Sequence, residues 1–282
     1  MSSLAAMLKT PGALVECDDD PEAVYEFLCS KGWSDGLPVI PPTPERVERM
    51  LAYCDRPWNE PIAKIPPRWG EATPLRLAAN AVMAGCKPEY FPLFMLAIEA
   101  MCEEKFNLYG IQATTHMVAP LVIVNGPIVK ELGINGGHNA FGPGVHSNAT
   151  IGRAIRLALV NIGGAIPKTG DMSTFGSPAK YSYLVAENED ESPWEPLHVE
   201  RGFGDQPADA TVALARGVVA YPTQTVVRNA GRASTTSRNL GRRIIGNLHI
   251  ELAGVALNNL SNLSHGVKFK VFMHLKSVPH GA

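Results

Sequence analysis

Pro120-Leu-Val-Ile-Val-Asn125 is the clearest strand in the sequence, because it is a short β-branched apolar run bounded by proline and by Asn-Gly. The glycine-rich stretch Gly133-Ile-Asn-Gly-Gly-His-Asn-Ala-Phe-Gly-Pro-Gly-Val-His146 follows it and leads into a helix that begins at Ser147 or Asn148. Apolar residues recur along this helix at helical spacing until Gly163-Gly164 ends it. The sequence therefore predicts a single mixed domain, of the α/β or the α+β class.

The segments around this stretch extend the mixed pattern. Residues 21–31 have helical spacing, and Thr43 caps a second helix that runs to about Cys54. Helices from Thr73 and from Pro88 form a hairpin with Cys86 in its corner. We further predict an irregular connection over 55–70, strands over 181–186, 212–219 and 268–274, and partial helix over 234–257.

Prolines are concentrated near the N-terminus. Trp33-Ser-Asp-Gly-Leu-Pro-Val-Ile-Pro-Pro-Thr43 contains three prolines and a glycine, which favour an extended and rigid segment over a helix or strand. We therefore interpret residues 1–72 as a helical, proline-rich N-terminal extension. Residues 73–282 form the mixed main domain, and the two parts are expected to make one compact unit.

Composition limits the classes of function. The chain has 282 residues, 45% of them hydrophobic and 18% charged, with a formal net charge of −2. A broad nucleic-acid surface is not expected, because it needs clustered Lys and Arg. No segment approaches the roughly 20 apolar residues that span a bilayer, so no membrane is expected.

The five cysteines form no disulfide or zinc pattern, and no secretory leader is visible, which indicates a cytoplasmic protein. Low charge with 26 glycines favours a homo- or hetero-oligomer.

Cys86 is the first candidate for chemistry. It lies in Met83-Ala-Gly-Cys-Lys-Pro-Glu-Tyr90, at the predicted start of a helix, where the helix dipole and Lys87 would favour a thiolate. The alternative is a small hydrophobic side chain that fills the corner of the hairpin. The other four cysteines are interpreted as structural or incidental.

The glycine-rich stretch is the second candidate. Its glycines let backbone N–H groups approach a ligand closely, and a helix N-terminus follows, which suits a carboxylate, a phosphate or an oxyanion. Arg156 would add charge if it faces the loop. The alternative is a glycine turn at a subunit interface. The predicted substrate-binding residues are Asn135, Gly136, Gly137, Asn139, Asn148 and Arg153.

Histidines are the third candidate. His116, His138 and His146 could transfer protons or bind a transition metal, although their spacing matches no metal motif and the sequence requires no cofactor. His198, with Glu195 and Glu200 nearby, is a fourth possibility. Asp35 would orient a histidine or close the pocket. The acidic run over 187–191 is interpreted as a solvated turn.

Several of these strings resemble the large domain of the UGSC-family (seleno)proteins. The resemblance runs over roughly residues 30–205 and rests on the quoted strings at 33–43 and 83–90, and on four more: Gln112-Ala-Thr-Thr-His116, Ala119-Pro-Leu-Val-Ile-Val-Asn-Gly-Pro127, Asn148-Ala-Thr-Ile-Gly-Arg153 and Glu195-Pro-Leu-His-Val-Glu-Arg-Gly-Phe203. The family name refers to a short domain with a U/C-Gly-Ser-Cys motif, which this sequence does not contain. The resemblance implies thiol or selenol chemistry, and it implies either a separate small thiol- or selenol-bearing partner subunit or a relative that has lost this domain.

Three hypotheses follow from the sequence. In the first, the protein is an enzyme on a small anionic organic molecule, with Cys86 as nucleophile or redox thiol and a histidine as acid or base. In the second, it is a metal-dependent hydrolase, hydratase or lyase that uses the loop histidines. In the third, it is a scaffold subunit whose partner carries the reactive thiol or selenol.

Overall fold

The computed structural model describes residues 14–200 and the backbone of three later strands, over 209–218, 249–253 and 268–272. Helices and small sheets are interleaved in one body, which confirms the predicted mixed domain. Within the described residues, no helix is both long enough and apolar enough to cross a membrane.

The helix start predicted at Thr43 and Pro44 is confirmed, since a helix begins at Pro44, but the side chain of Thr43 makes no capping hydrogen bond. Proline occupies the first turn of α1, α2 and α3, where its missing N–H costs no hydrogen bond. Asp20 and Thr73 cap α1 and α3 with their side chains, and Gly85 ends α3 with a φ of 87°. The helices are α1 (Pro21–Ser30), α2 (Pro44–Leu51), α3 (Pro74–Ala84), α4 (Phe91–Cys102), α5 (Leu108–Ala113), α6 (Ile128–Leu132), α7 (His146–Asn161) and α8 (Leu197–Glu200).

Two sheets complete the fold. Strands β1 (Ala63–Ile65) and β2 (Gly70–Ala72) form an antiparallel pair. Strand β3 (Ala119–Asn125), the predicted strand, is buried along its whole length and pairs in parallel with β4 (Leu184–Ala186). The backbone of β5 (Asp209–Val218) pairs antiparallel with β3, and β6 (His249–Ala253) and β7 (Lys268–Phe272) both pair with β5.

Some element boundaries differ from the predictions. The β1–β2 pair lies partly within residues 55–70, which we predicted to be irregular. Its strands have three residues each, too short for an alternating pattern to be visible in the sequence. Strand β4 begins at Leu184 instead of residue 181, because a 3₁₀ turn over Pro178–Lys180 ends immediately before Tyr181.

Two further boundaries belong to helices. Helix α2 ends at Leu51, three residues before the predicted end. The predicted helix from Pro88 begins as a 3₁₀ turn, Pro88–Tyr90, and becomes α-helical only at Phe91. The stretch over 234–257, predicted to be partly helical, contains strand β6, and the rest of it lies outside the described residues.

One hydrophobic core runs through the described body. Val24 and Leu28 of α1 and Val47 and Met50 of α2 belong to the same buried cluster as the aromatic side chains of α4. The predicted N-terminal extension therefore shares its core with the main domain. This shared core also holds the ends of α3 and α7 together, where the candidate site lies.

Candidate functional site

Four of the predicted site residues lie together on one side of α7. His146, Thr150 and Arg153 follow one another at helical spacing on α7. The corner after α3 brings Cys86 and Tyr90 to this side, and the proline-rich segment brings Asp35. We call this group the α7 face. Its members are Asp35, Cys86, Tyr90, His146, Thr150 and Arg153.

The thiol of Cys86 is not poised as a thiolate. Burial raises the pKa of Cys86 to about 12, while the nearby Thr150 hydroxyl and Arg153 guanidinium act in the opposite direction and are outweighed. This is the reverse of the lowering that we expected from a helix N-terminus. The backbone N–H of Cys86 donates to the carbonyl of Ala81, so the residue completes the end of α3 and does not begin α4.

Asp35 is paired with an arginine and not with a histidine. Its two carboxylate oxygens accept from Nε and Nη2 of Arg153, each at 2.8 Å, and the two side chains are only 12% and 14% exposed. Arg153 also donates to the carbonyl of Leu37 at 3.2 Å. Of the two predicted roles of Asp35, orienting a histidine is not supported by these contacts, and closing the pocket stays a prediction. In the resting state the charge of Arg153 is neutralised.

The proline-rich segment over 33–43, here called the strap, lies across α7 and the end of α3. Asn161 of α7 donates to the carbonyl of Trp33 at 3.0 Å, and the backbone N–H of Ile40 donates to Met83 of α3 at 3.3 Å. A methyl group added at Gly85 would lie 3.7 Å from both Ile40 and Thr150. The strap therefore packs beside the corner that holds Cys86.

His146 is connected to the corner that holds Cys86 through the ring of Tyr90. It is exposed at the first position of α7, and its ring lies 5.8 Å from that of Tyr90. Tyr90 is buried, and its pKa is raised, first by burial and then by the charges of Glu89 and Cys86. Tyr90 was not singled out from the sequence, although it ends the quoted string around Cys86.

Asn148 organises the glycine-rich loop, and both of its polar atoms have hydrogen-bond partners in or beside it. Its Oδ1 accepts from the backbone N–H of Asn135 at 2.8 Å, and its Nδ2 donates to three carbonyls, of Asn135, Ala140 and Leu184. The side chain is buried. Its predicted role in substrate binding is therefore replaced by a positioning role for the loop.

Other side chains of the loop also form their hydrogen bonds within the loop. Asn135 accepts from the backbone N–H of Gly137 at 2.9 Å and donates to the carbonyl of His138 at 2.9 Å. Asn139 has a left-handed φ of 57° and donates weakly to Pro143. Gly136 lies so close to β4 that a Cβ there would be 2.4 Å from the carbonyl oxygen of Ala186. The glycine at 136 is required by packing.

A cleft of about 240 Å³ opens beside this loop, at the carboxyl ends of the parallel strands β3 and β4. Gly126, Lys130 and Gly136 line it together with the acidic residues that follow β4. Glu187 is buried and accepts from the side chain of Asn125 and from the backbone of Leu197, so the run over 187–191 is not only a solvated turn. Strand ends of this kind are common ligand sites in parallel sheets, but the sequence analysis missed Asn125 and Glu187.

The remaining predicted residues lie elsewhere. Arg156 faces away from the loop, towards Asp171, Lys180 and Gln112. His116 is exposed after α5, where its backbone N–H donates to Thr114. His138 is exposed in the glycine loop. The side chains of His198 and Glu200 lie outside the described part of the structure.

The candidate metal ligands are dispersed. Among the residues that the structure describes, no three His, Cys, Asp or Glu side chains come together as a group that could hold a metal ion. His138 and His146 bracket the loop as predicted, but they form no such group with each other and a third ligand.

The chain was compared with models of protein families, with curated proteins and with solved structures. None of the three comparisons finds a match. The geometry of the α7 face therefore carries the functional argument.

Proposed function

We propose that the protein is an enzyme that acts on a small anionic organic molecule through the thiol of Cys86. The observation that supports this is the convergence of Asp35, Cys86, His146 and Arg153 on the α7 face from three segments, namely the strap, the corner after α3, and α7 itself. A thiol, an imidazole and a guanidinium in one place are the parts that nucleophilic attack on an anionic substrate needs.

The raised pKa of Cys86 requires a base at the moment of reaction. In the proposed step, the imidazole of His146 takes the thiol proton, and Sγ forms a bond to an electrophilic carbon of the substrate. The electron pair of the broken π bond moves onto the substrate, which then takes the proton back from His146. Arg153 attracts the anionic group of the substrate once one of its two hydrogen bonds to Asp35 breaks. The step needs no oxidant.

The proposed location is the cytoplasm. All five cysteines are free thiols, and they include the exposed Cys17 and Cys29. Reduced thiols of this kind persist in a reducing compartment.

Alkylation kinetics test the role of His146. Iodoacetamide modification of each cysteine is followed at pH 8 by peptide mass spectrometry in the wild type and in His146→Gln. If His146 is the base, the variant alkylates Cys86 about tenfold more slowly. Cys102 is the internal control, because burial raises its pKa to about 12 as well and His146 makes no contact with it. An unchanged Cys86 rate in the variant would remove His146 from the mechanism.

Substrate consumption tests the role of Cys86. A pool of small carboxylate-bearing metabolites is incubated with the wild type, with Cys86→Ser and with the matched control Cys102→Ser. The proposal expects a metabolite that is consumed by the wild type and by Cys102→Ser but not by Cys86→Ser. Full turnover by Cys86→Ser would show that Cys86 is not the nucleophile.

A second candidate is a scaffold subunit whose partner supplies the reactive thiol or selenol. Two observations favour it: the resting thiol of Cys86 is neutral, and Phe175 is an aromatic side chain with 88% exposure. The resemblance to the large domain of the UGSC family points the same way. Mixing the chain with a purified small subunit that bears Cys-Gly-Ser-Cys, with Phe175→Ser as control, tests it by light scattering. A complex that forms only with the wild type would favour this candidate over the first.

A further inference from the structure

A buried polar cluster surrounds Arg156, which lies three residues after Arg153 on α7. Arg156 is buried, and its Nε donates to the carbonyl of Lys180 at 2.9 Å. One oxygen of Asp171, Oδ2, lies 2.6 Å from Nζ of Lys180 and 3.5 Å from Nη2 of Arg156. The other oxygen accepts from the backbone N–H of Ser173 at 3.1 Å. We call Gln112, Arg156, Asp171 and Lys180 the Arg156 cluster.

The cluster holds more positive than negative charge. Two cations share one carboxylate, and Asp171 is the one acid that acts on the pKa of either Arg156 or Lys180 among the described residues. Burial lowers the pKa of Lys180 and of Arg156, because the carboxylate of Asp171 does not fully offset the cost of removing these two cations from water. A buried net charge is unfavourable unless an opposite charge is supplied.

The cluster also contains a hydrogen-bond donor with no acceptor. Gln112 is fully buried, and its Oε1 accepts from Nη1 of Arg156 at 3.4 Å. Because a guanidinium can only donate, the amide oxygen is the atom that contacts it, and the amide nitrogen remains as the second polar atom of this side chain. That nitrogen, Nε2, has no hydrogen-bond partner, and neither does the hydroxyl of Ser177 on the loop that carries Asp171.

From these two observations we infer that the Arg156 cluster is a binding site for a small oxyanion, a carboxylate or a phosphate group. An oxyanion supplies both the missing negative charge and an acceptor for the amide of Gln112. Lys180 is the member nearest to solvent, with 11% of its side chain exposed, so the anion approaches from its side. The site is separate from Cys86, and its test does not depend on the chemistry of the thiol.

Isothermal titration with sodium phosphate and with sodium acetate, at constant ionic strength, tests the site. We expect saturable binding of at least one anion to the wild type, and the preferred one distinguishes a phosphate from a carboxylate ligand. Lys180→Met should weaken binding about tenfold or more, because it removes one of two cations. Lys168→Met is the matched control, because Lys168 is exposed in the adjoining turn and only its backbone contacts Asp171.

Two more variants separate binding from a purely structural ion pair. Asp171→Asn removes the competing negative charge and should tighten anion binding severalfold, whereas a structural role predicts only lower stability. Gln112→Leu removes the unpaired donor without changing charge and should weaken binding, which keeps the test valid if Lys180→Met fails to fold. Absence of saturable binding to the wild type, or equal affinity in Lys168→Met and Lys180→Met, would overturn the inference.

Discussion

Two neighbouring glycines in the loop before α7 have different roles. The backbone of the loop is held against β4 by Asn148 and by a hydrogen bond from Ala186 to Asn135. At Gly136 this leaves no room for a side chain, whereas a Cβ at Gly137 would lie 3.7 Å from its nearest neighbour, the side chain of Asn135. The same residue type is thus required at one position and replaceable at the next.

Alanine substitution separates the two glycines. We expect Gly136→Ala to lower the free energy of unfolding by about 1–3 kcal/mol, because the new methyl group overlaps the carbonyl of Ala186 and pushes the loop from the strand. Gly137→Ala is the control and should change it by less than about 0.5 kcal/mol. Urea unfolding measures both, and equal losses would mean that the loop does not pack on β4 as described.

Among the elements, the strap is the one that packs beside Cys86 and contacts Arg153. Its prolines make it extended and stiff, so a few contacts are enough to hold it. The ion pair between Asp35 and Arg153 is the strongest of these contacts by geometry, since it is bidentate and largely shielded from water. The burial of Cys86 is therefore coupled to this ion pair through the strap and α7.

Asp35→Asn should loosen the strap and make Cys86 more reactive. We expect alkylation of Cys86 by iodoacetamide at pH 8 to accelerate about tenfold, because greater exposure brings the pKa of the thiol closer to the ordinary value of about 8.5. The rate with iodoacetate should increase more than the rate with iodoacetamide. Iodoacetate is negatively charged, and Arg153 attracts it once Arg153 has lost its negative partner. Mass spectrometry of the modified peptides gives both rates.

Two controls make this experiment specific to the strap. Cys102 in the same protein should keep its rate, because it is buried on α4 beside Glu99 and Glu103. Asp190→Asn removes an exposed ion pair, with Lys130, and should leave Cys86 unchanged. Equal acceleration of Cys86 and Cys102 would indicate general loosening of the protein and contradict a strap that guards one thiol.

Local signals predicted the elements well and the partners of side chains poorly. Thr43 and Pro44 predicted the start of α2, and the β-branched run predicted β3, because these signals act within a few residues of chain. The raised pKa of Cys86 and the pairing of Asp35 with Arg153 depend on contacts between distant segments. Residues 35 and 153 are far apart in the chain, so no pattern within a window could show their contact.

At the scale of the whole molecule, three partly buried thiols pack against one core. Cys54, Cys86 and Cys102 all pack against the hydrophobic cluster that α1 and α2 share with α4 and α7. Burial raises the pKa of each of them, to about 12 for Cys86 and Cys102. Their protons are therefore linked to the stability of the entire body and not to one site alone.

The stability of the protein should fall as the pH rises above about 8.5, the ordinary pKa of an unfolded thiol. Between this value and about 12 the folded state keeps the thiol proton that the unfolded state has lost, so stability that is fully present at pH 7 is lost progressively. By pH 10 each of the two thiols should cost about 2 kcal/mol, or about 4 kcal/mol together. Urea unfolding at pH 7 and pH 10, in the presence of a reductant, measures the loss.

The double variant Cys86→Ser, Cys102→Ser is the control and should retain most of its stability at pH 10, because serine does not titrate in this range. A wild type and a double variant with the same pH dependence would show that neither thiol is held neutral by the core.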